Sequence, residues 1–165
     1  MTVPFLDLKS AYDELAAIAE PLMLQSLRSG WYILGPDVDA FETEFAAYCG
    51  VDHAMGVANG LDALQLALLA VGVEPGDQVL VPSNTFVATW LAVSQVGAIP
   101  VPVEPDQATH NITAEAVRNA MAPGVKAVIA VHLYGQPADV VALAQVADDL
   151  GIALIEDAAQ AHGAR

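Results

Sequence analysis

Ala127-Val128-Ile129-Ala130-Val131 is an unbroken run of five apolar residues, and its reading decides the fold. A strand with one wet face alternates apolar and polar residues. A continuous run of small and β-branched residues instead implies cover on both faces, as in a parallel sheet flanked by helices. Working outward, comparable runs recur at 54–58, 78–82, 99–103 and 152–156. Helical patterns lie between them. Leu64, Leu68 and Val71 form one stripe that stops at Gly72, and the pattern over 85–96 stops at Gly97. Thr113 reads as a helix cap with Glu115 in the first turn, and the pattern over 137–150 stops at Gly151. This rhythm of βαβ units predicts a three-layer α/β domain around a mostly parallel sheet of about five strands.

The first fifty residues carry no strand pattern. Residues 10–29 are helical with an interruption at Pro21, and Gly35-Pro36 opens a second helix with Val38, Phe41 and Phe45 on one face. A helical amino-terminal arm over 1–50 is therefore expected ahead of a domain over 51–165. No internal repeat or flexible linker marks another boundary.

Five Lys and Arg against twenty Asp and Glu give a net charge of −15, which repels nucleic acid and anionic membrane surfaces. No apolar run reaches the roughly 18 to 20 residues that span a bilayer, and the first residues lack the basic region of a signal peptide. A cytoplasmic protein is expected. Cys49 is the lone cysteine; it rules out an internal disulfide and reads as a small apolar residue closing a helix. The four histidines show no metal-ligand spacing.

Right-handed crossovers put the loops that follow parallel strands on one edge of the sheet, where ligands of open α/β sheets bind. After 54–58, Asn59-Gly60-Leu61 opens directly into a helix whose first N–H groups are unsatisfied. An anion there gains hydrogen bonds plus about 0.3 to 1 kcal/mol from the helix dipole. The alternative is an ordinary turn, with the Asp62 carboxylate taking the same N–H groups. The stretch matches neither Gly-x-Gly-x-x-Gly nor Gly-x-x-x-x-Gly-Lys-Ser/Thr, which disfavours dinucleotides and nucleoside triphosphates. After 78–82, Ser83-Asn84-Thr85 can cap a helix, and Phe86, just inside it, is either core or a platform for a flat ring. After 152–156, strand alternation sends Glu156 and Asp157 to opposite faces. Asp157 either caps the next segment or partners a pyridinium nitrogen, keeping it protonated and the ring a strong electron sink. Phosphate cradle, ring platform and pyridine partner on one sheet edge together suit pyridoxal 5′-phosphate (PLP).

In these residues the chain resembles the DegT/DnrJ/EryC1/StrS sugar aminotransferases, PLP enzymes of fold type I. The resemblance runs through Val3-Pro4-Phe5-Leu6-Asp7-Leu8, Ser29-Gly30-Trp31-Tyr32-Ile33-Leu34-Gly35, Asn59-Gly60-Leu61-Asp62-Ala63-Leu64, Pro75-Gly76-Asp77-Gln78-Val79, Ser83-Asn84-Thr85-Phe86-Val87-Ala88-Thr89, His132-Leu133-Tyr134-Gly135-Gln136-Pro137 and Glu156-Asp157-Ala158-Ala159-Gln160-Ala161-His162-Gly163. It implies the large PLP-binding domain of that fold, cut short after about five strands. It further implies phosphate contacts at the Gly60 and Leu61 backbone, stacking by Phe86, an Asp157 bond to the pyridine nitrogen, and Gln160 at the phenolic oxygen. Tyr32 is a candidate substrate contact, its alternative being packing within the arm. The implied substrates are a nucleotide-linked keto-deoxy sugar and an amino-acid donor, glutamate, in a homodimer. Asn59-Gly60-Leu61-Asp62-Ala63-Leu64 with Thr89-Trp90-Leu91-Ala92-Val93-Ser94 is more similar to members that aminate 3-keto sugars than to the 4-keto enzymes. His110 departs from the aromatic or aliphatic residue of the family at that place.

The family's Schiff-base lysine follows the Asp157 motif by a few tens of residues, beyond Arg165. Lys126 is expected at the start of its strand, about 17 Å from the ligand edge, and Lys9 in the arm. His132 is expected as a loop residue without a paired base, and His162 as a packing or locally bonded residue. The chain is therefore expected to be the inactive amino-terminal portion of a sugar aminotransferase. The alternative is a non-catalytic ligand-binding or assembly module on the same fold.

Overall fold

A computed structural model describes residues 3–164, and the chain divides into two units with the boundary between Gly56 and Val57. In the second unit, β1 (Gln78–Pro82), β2 (Ile99–Val103), β3 (Val125–Val131) and β4 (Ala153–Asp157) form a parallel sheet in the order β2-β1-β3-β4. The inner strands explain the opening motif: apart from Lys126, every residue of β3 is buried, while β2 and β4 at the edges are partly exposed. Alternate side chains feed two cores. Val79, Val81, Ala127, Ile129 and Ile155 cluster with Leu64 and Leu68 of α3 (Gly60–Ala70) and Ala92 and Val93 of α4 (Val87–Gln95). Leu80, Val128 and Ala130 cluster with Val117 of α5 (Ala114–Ala120) and with Leu143 and Val146 of α6 (Val140–Leu150). The expected three layers and parallel sheet are present. From β1 the chain steps outward to β2, then crosses to β3 on the other side of β1, so the β1/β3 border is the point where strand order reverses.

The sheet has four strands where about five were expected. Residues 54–58 form none. A strand needs a ladder partner, and this segment pairs with none among the described residues. Ala54, Gly56 and Ala58 also have weak β-propensity, and Met55 is 81% exposed. Two helices begin later than their patterns suggest. α4 starts at Val87 because Phe86, with extended backbone, is its N-cap residue rather than its first turn. α6 starts at Val140 because the Asp139 carboxylate caps it, accepting from Ala142 N.

In the first unit, α1 (Leu8–Ser29) is one uninterrupted helix with Pro21 inside it, not two. The proline removes one ladder bond, and the remaining 22-residue register holds across it. Asp7 caps α1 through Ser10 N, and Gly30 ends it in the left-handed conformation. α2 (Pro36–Cys49) starts on Pro36, carries Asp37 and Asp39 in its first turn and ends at left-handed Gly50. Cys49 closes this helix as expected, but it is exposed rather than packed. No helix among the described residues is long and apolar enough to cross a membrane.

Candidate functional site

The carboxyl ends of β3 and β4 and the segment that follows β1 border a cleft of about 550 Å³, lined by Asn59, Gly60, Leu61, Thr85, Phe86, Val131, Leu133, Asp157 and Gln160 among others. All five predicted cofactor residues, Gly60, Leu61, Phe86, Asp157 and Gln160, line this one cleft. They are separated by up to a hundred positions in sequence, and the parallel crossovers are what bring them to one edge. Tyr32 is different: it lies in the first unit, where its hydroxyl donates to Leu27 O at 2.9 Å.

At the start of α3, Asn59 accounts for two of the first N–H groups. Its side-chain oxygen accepts from Asp62 N at 2.9 Å, and its carbonyl accepts from Ala63 N at 3.0 Å. Asn59 Nδ2 in turn donates to Asp62 Oδ2 at 3.0 Å, so the competing carboxylate is held locally. The N–H groups of Gly60 and Leu61 keep no hydrogen-bond partner among the described residues, and they are the two the sequence singled out. Two unclaimed N–H groups at a helix N-terminus, aligned with its dipole, suit a phosphate.

Phe86 is 74% exposed although it is a large apolar ring, because its position as N-cap residue holds it outside the helix–sheet contact. Behind it, the Thr85 and Thr89 hydroxyls bond each other at 2.9 Å, and Thr89 is buried. Asp157 ends β4, paired across from Val131. Its Oδ1 accepts from Ala159 N at 3.1 Å, so the local capping foreseen as an alternative does occur. Its second oxygen has no donor among the described residues. One local bond and one open oxygen are compatible with capping and ligand binding at once.

His132 corrects an expectation. It is 4% exposed, and its Nε2 lies 3.0 Å from Glu156 Oε2, so it has a carboxylate partner. Its Nδ1 accepts from Ala138 N at 3.1 Å. A backbone N–H only donates, so Nδ1 is the bare nitrogen and Nε2 carries the hydrogen that goes to Glu156. Alternation along β4 turns Glu156 to this pair and Asp157 to the cleft, as the sequence indicated. The pairing itself escaped sequence reading because residues 132 and 156 meet only through the β3–β4 register.

Lys126 does not line the cleft, and Lys9 belongs to the first unit. Lys126 is at the start of β3, whose far end, Val131, reaches the cleft; Lys9 lies in the first turn of α1, paired with Asp13 at 2.5 Å. No group of three or more metal-ligating side chains exists among the described residues.

Residues 15–165 match the DegT/DnrJ/EryC1/StrS aminotransferase family. The chain belongs to that family. It is 55% identical over 163 residues to the dTDP-3-amino-3,4,6-trideoxy-alpha-D-glucose transaminase of Streptomyces venezuelae, covering 99% of this chain and 43% of that protein. The crystal structure of S. venezuelae DesV superimposes with a TM-score of 0.94 at 55% identity, over 98% of this chain and 43% of that one. Bacillus subtilis NtdA, solved with its cofactor PMP bound, gives a TM-score of 0.91 at 34% identity, over 98% and 38% of the two chains. The chain thus spans less than half the length of these relatives.

The donor set fits a cofactor such as the PMP bound in NtdA. A slab lined by Leu61, Leu64, Phe86 and Leu133 suits a planar ring, the open N–H pair of α3 suits a phosphate, and Asp157 suits a ring nitrogen.

Proposed function

We propose that this cleft binds PLP, and that the chain is part of an aminotransferase acting on a nucleotide-linked keto-deoxy sugar, with the 3-keto position favoured, glutamate as amino donor and a homodimeric assembly. The observation that carries the reading is the N-terminus of α3, with the Gly60 and Leu61 N–H groups unclaimed, in one cleft with Phe86 and Asp157. The similarity to a transaminase named for a 3-amino sugar supports the 3-keto preference.

When bound, the cofactor supplies an electron sink for carbanion chemistry. The chain's own residues have simpler tasks. Gly60 and Leu61 donate to the phosphate, Phe86 covers one ring face and excludes water from it, and Asp157 holds a proton on the ring nitrogen through a charge-assisted bond. Gln160 addresses the phenolic oxygen. The covalent link to a lysine falls to neither Lys9 nor Lys126, and Tyr32 remains a proposed substrate contact.

Calorimetric titration with pyridoxamine 5′-phosphate (PMP), which needs no lysine for binding, tests the cofactor reading. Saturable one-to-one binding that competes with inorganic phosphate is expected; no binding at millimolar PMP sinks it. Borohydride treatment after PLP addition should leave no specific adduct at Lys9 or Lys126. For the sugar, the protein at the length of its relatives should aminate a dTDP-3-keto-6-deoxy sugar with glutamate faster than the 4-keto isomer.

A further inference from the structure

Gln160 does not reach the cleft as a freely turning amide. Its Oε1 accepts from the backbone N–H of Tyr134 at 2.7 Å. That N–H is presented by an unusual turn over Leu133–Gly135: Tyr134 has φ 59° and ψ 18°, and Gly135 follows with φ 83°. A left-handed non-glycine residue is uncommon and strained, so the surroundings must hold it there. They do so from two sides. The Tyr134 ring meets His110 edge-on with centroids 5.9 Å apart, and His110, itself left-handed at φ 60°, is tied by its carbonyl to Asn84 Nδ2 at 3.0 Å. A Cβ added to Gly135 would stand 3.3 Å from Gln160 O, so the turn also lies close against the Gln160 backbone.

We infer that the left-handed Tyr134–Gly135 turn is a positioning device that fixes the polarity of the Gln160 amide, so that Gln160 meets a ligand of the cleft as a hydrogen-bond donor through Nε2. The reason is chemical: a backbone N–H can bond only the amide oxygen, so with Oε1 committed to Tyr134 the NH₂ group is what Gln160 has left to offer. Nε2 has no other partner among the described residues. A donor so held recognises an oxygen bearing negative charge, and the phenolic oxygen of the pyridine ring is that group under the proposed function, on which this inference rests. Tyr134 acts through its backbone conformation, which a residue at ease with positive φ can supply without the ring.

Four variants and one ligand analogue test it. Gln160→Glu keeps the acceptor for Tyr134 N and replaces the donor with a second, charged acceptor; PMP binding should weaken roughly ten- to a hundredfold, as for a lost charge-assisted hydrogen bond. The penalty should vanish with 3-deoxypyridoxamine 5′-phosphate, which lacks the phenolic oxygen. Tyr134→Gly and Tyr134→Asn tolerate the left-handed conformation and should bind PMP within about threefold of the parent, whereas Tyr134→Val, β-branched and ill suited to positive φ, should bind distinctly more weakly. In nitrogen-edited NMR spectra the Gln160 side-chain amide should shift on PMP addition in the parent and in Tyr134→Gly. If the parent protein fails to bind PMP, the cofactor reading falls and this inference with it. If the parent binds but Gln160→Glu binds equally well, or Tyr134→Val matches Tyr134→Gly, the cofactor reading stands and the positioning role is wrong.

Discussion

Replacing His132 by alanine should destabilise the protein by about 2 to 5 kcal/mol, far more than Glu156→Gln at its partner. The buried imidazole serves two bonds of unequal weight. Toward Ala138, which is 6% exposed, its Nδ1 is the acceptor for a buried backbone N–H. Leaving that group unpaired costs about 1 to 3 kcal/mol, and the void left by the ring adds a further ~1 to 2. Toward Glu156 the bond is to a carboxylate whose side chain is 47% exposed, so water replaces most of what is lost. Glu156→Gln should therefore cost less than about 1 kcal/mol. His132→Asn can place a side-chain oxygen near the site of Nδ1 and should recover about half of the alanine loss. Urea denaturation followed by circular dichroism measures all three, with the slope m checked for constancy. Were Glu156→Gln as damaging as His132→Ala, or His132→Asn no better than alanine, the assignment of the energy to the Ala138 amide would be refuted.

Phe86→Ala should leave the melting temperature nearly unchanged, since the ring is 74% exposed, yet weaken PMP binding about 2- to 12-fold, the equivalent of ~0.5 to 1.5 kcal/mol of lost stacking; unaltered affinity by calorimetry would remove Phe86 from the site. Acid should selectively weaken the parent relative to Asp106→Asn. The Thr109 and Ala108 N–H groups and the Thr109 hydroxyl hold the Asp106 carboxyl below its ordinary value. A lowered folded-state pKa means the unfolded chain binds protons first, so the stabilisation is present above the ordinary carboxylate value near 4 and is lost as pH falls through the folded one. The gap in melting temperature between parent and Asp106→Asn should thus narrow below about pH 4, and a gap constant from pH 7 to 3 would contradict the sign. Asp149, lowered by its bonds to Arg118 and Gln145, should contribute in the same direction.

The sequence by itself determined the layers. Uninterrupted apolar runs at 127–131 and 79–82 have to be covered on both faces, and every helix but α5 stops at a glycine or one residue short of it, a local device that needs no distant partner. Hence the parallel sheet, the helix stops and even the split of Glu156 and Asp157 to opposite faces were legible. The failures share a cause as well. Residues 54–58 have the composition of a weak strand and depend on a ladder that local sequence cannot supply. Phe86 lies at a helix boundary, where one residue of error separates a buried ring from an exposed one. What only the tertiary structure decided is which groups remain available. The unclaimed N–H groups of Gly60 and Leu61 and the one open oxygen of Asp157 depend on which local bonds form, and the His132–Glu156 pair and the amide of Gln160 turned by a left-handed Tyr134 depend on residues brought together by strand register and crossovers. Spacing along a chain shows which chemistry is present; only the fold shows which donors and acceptors it has already used.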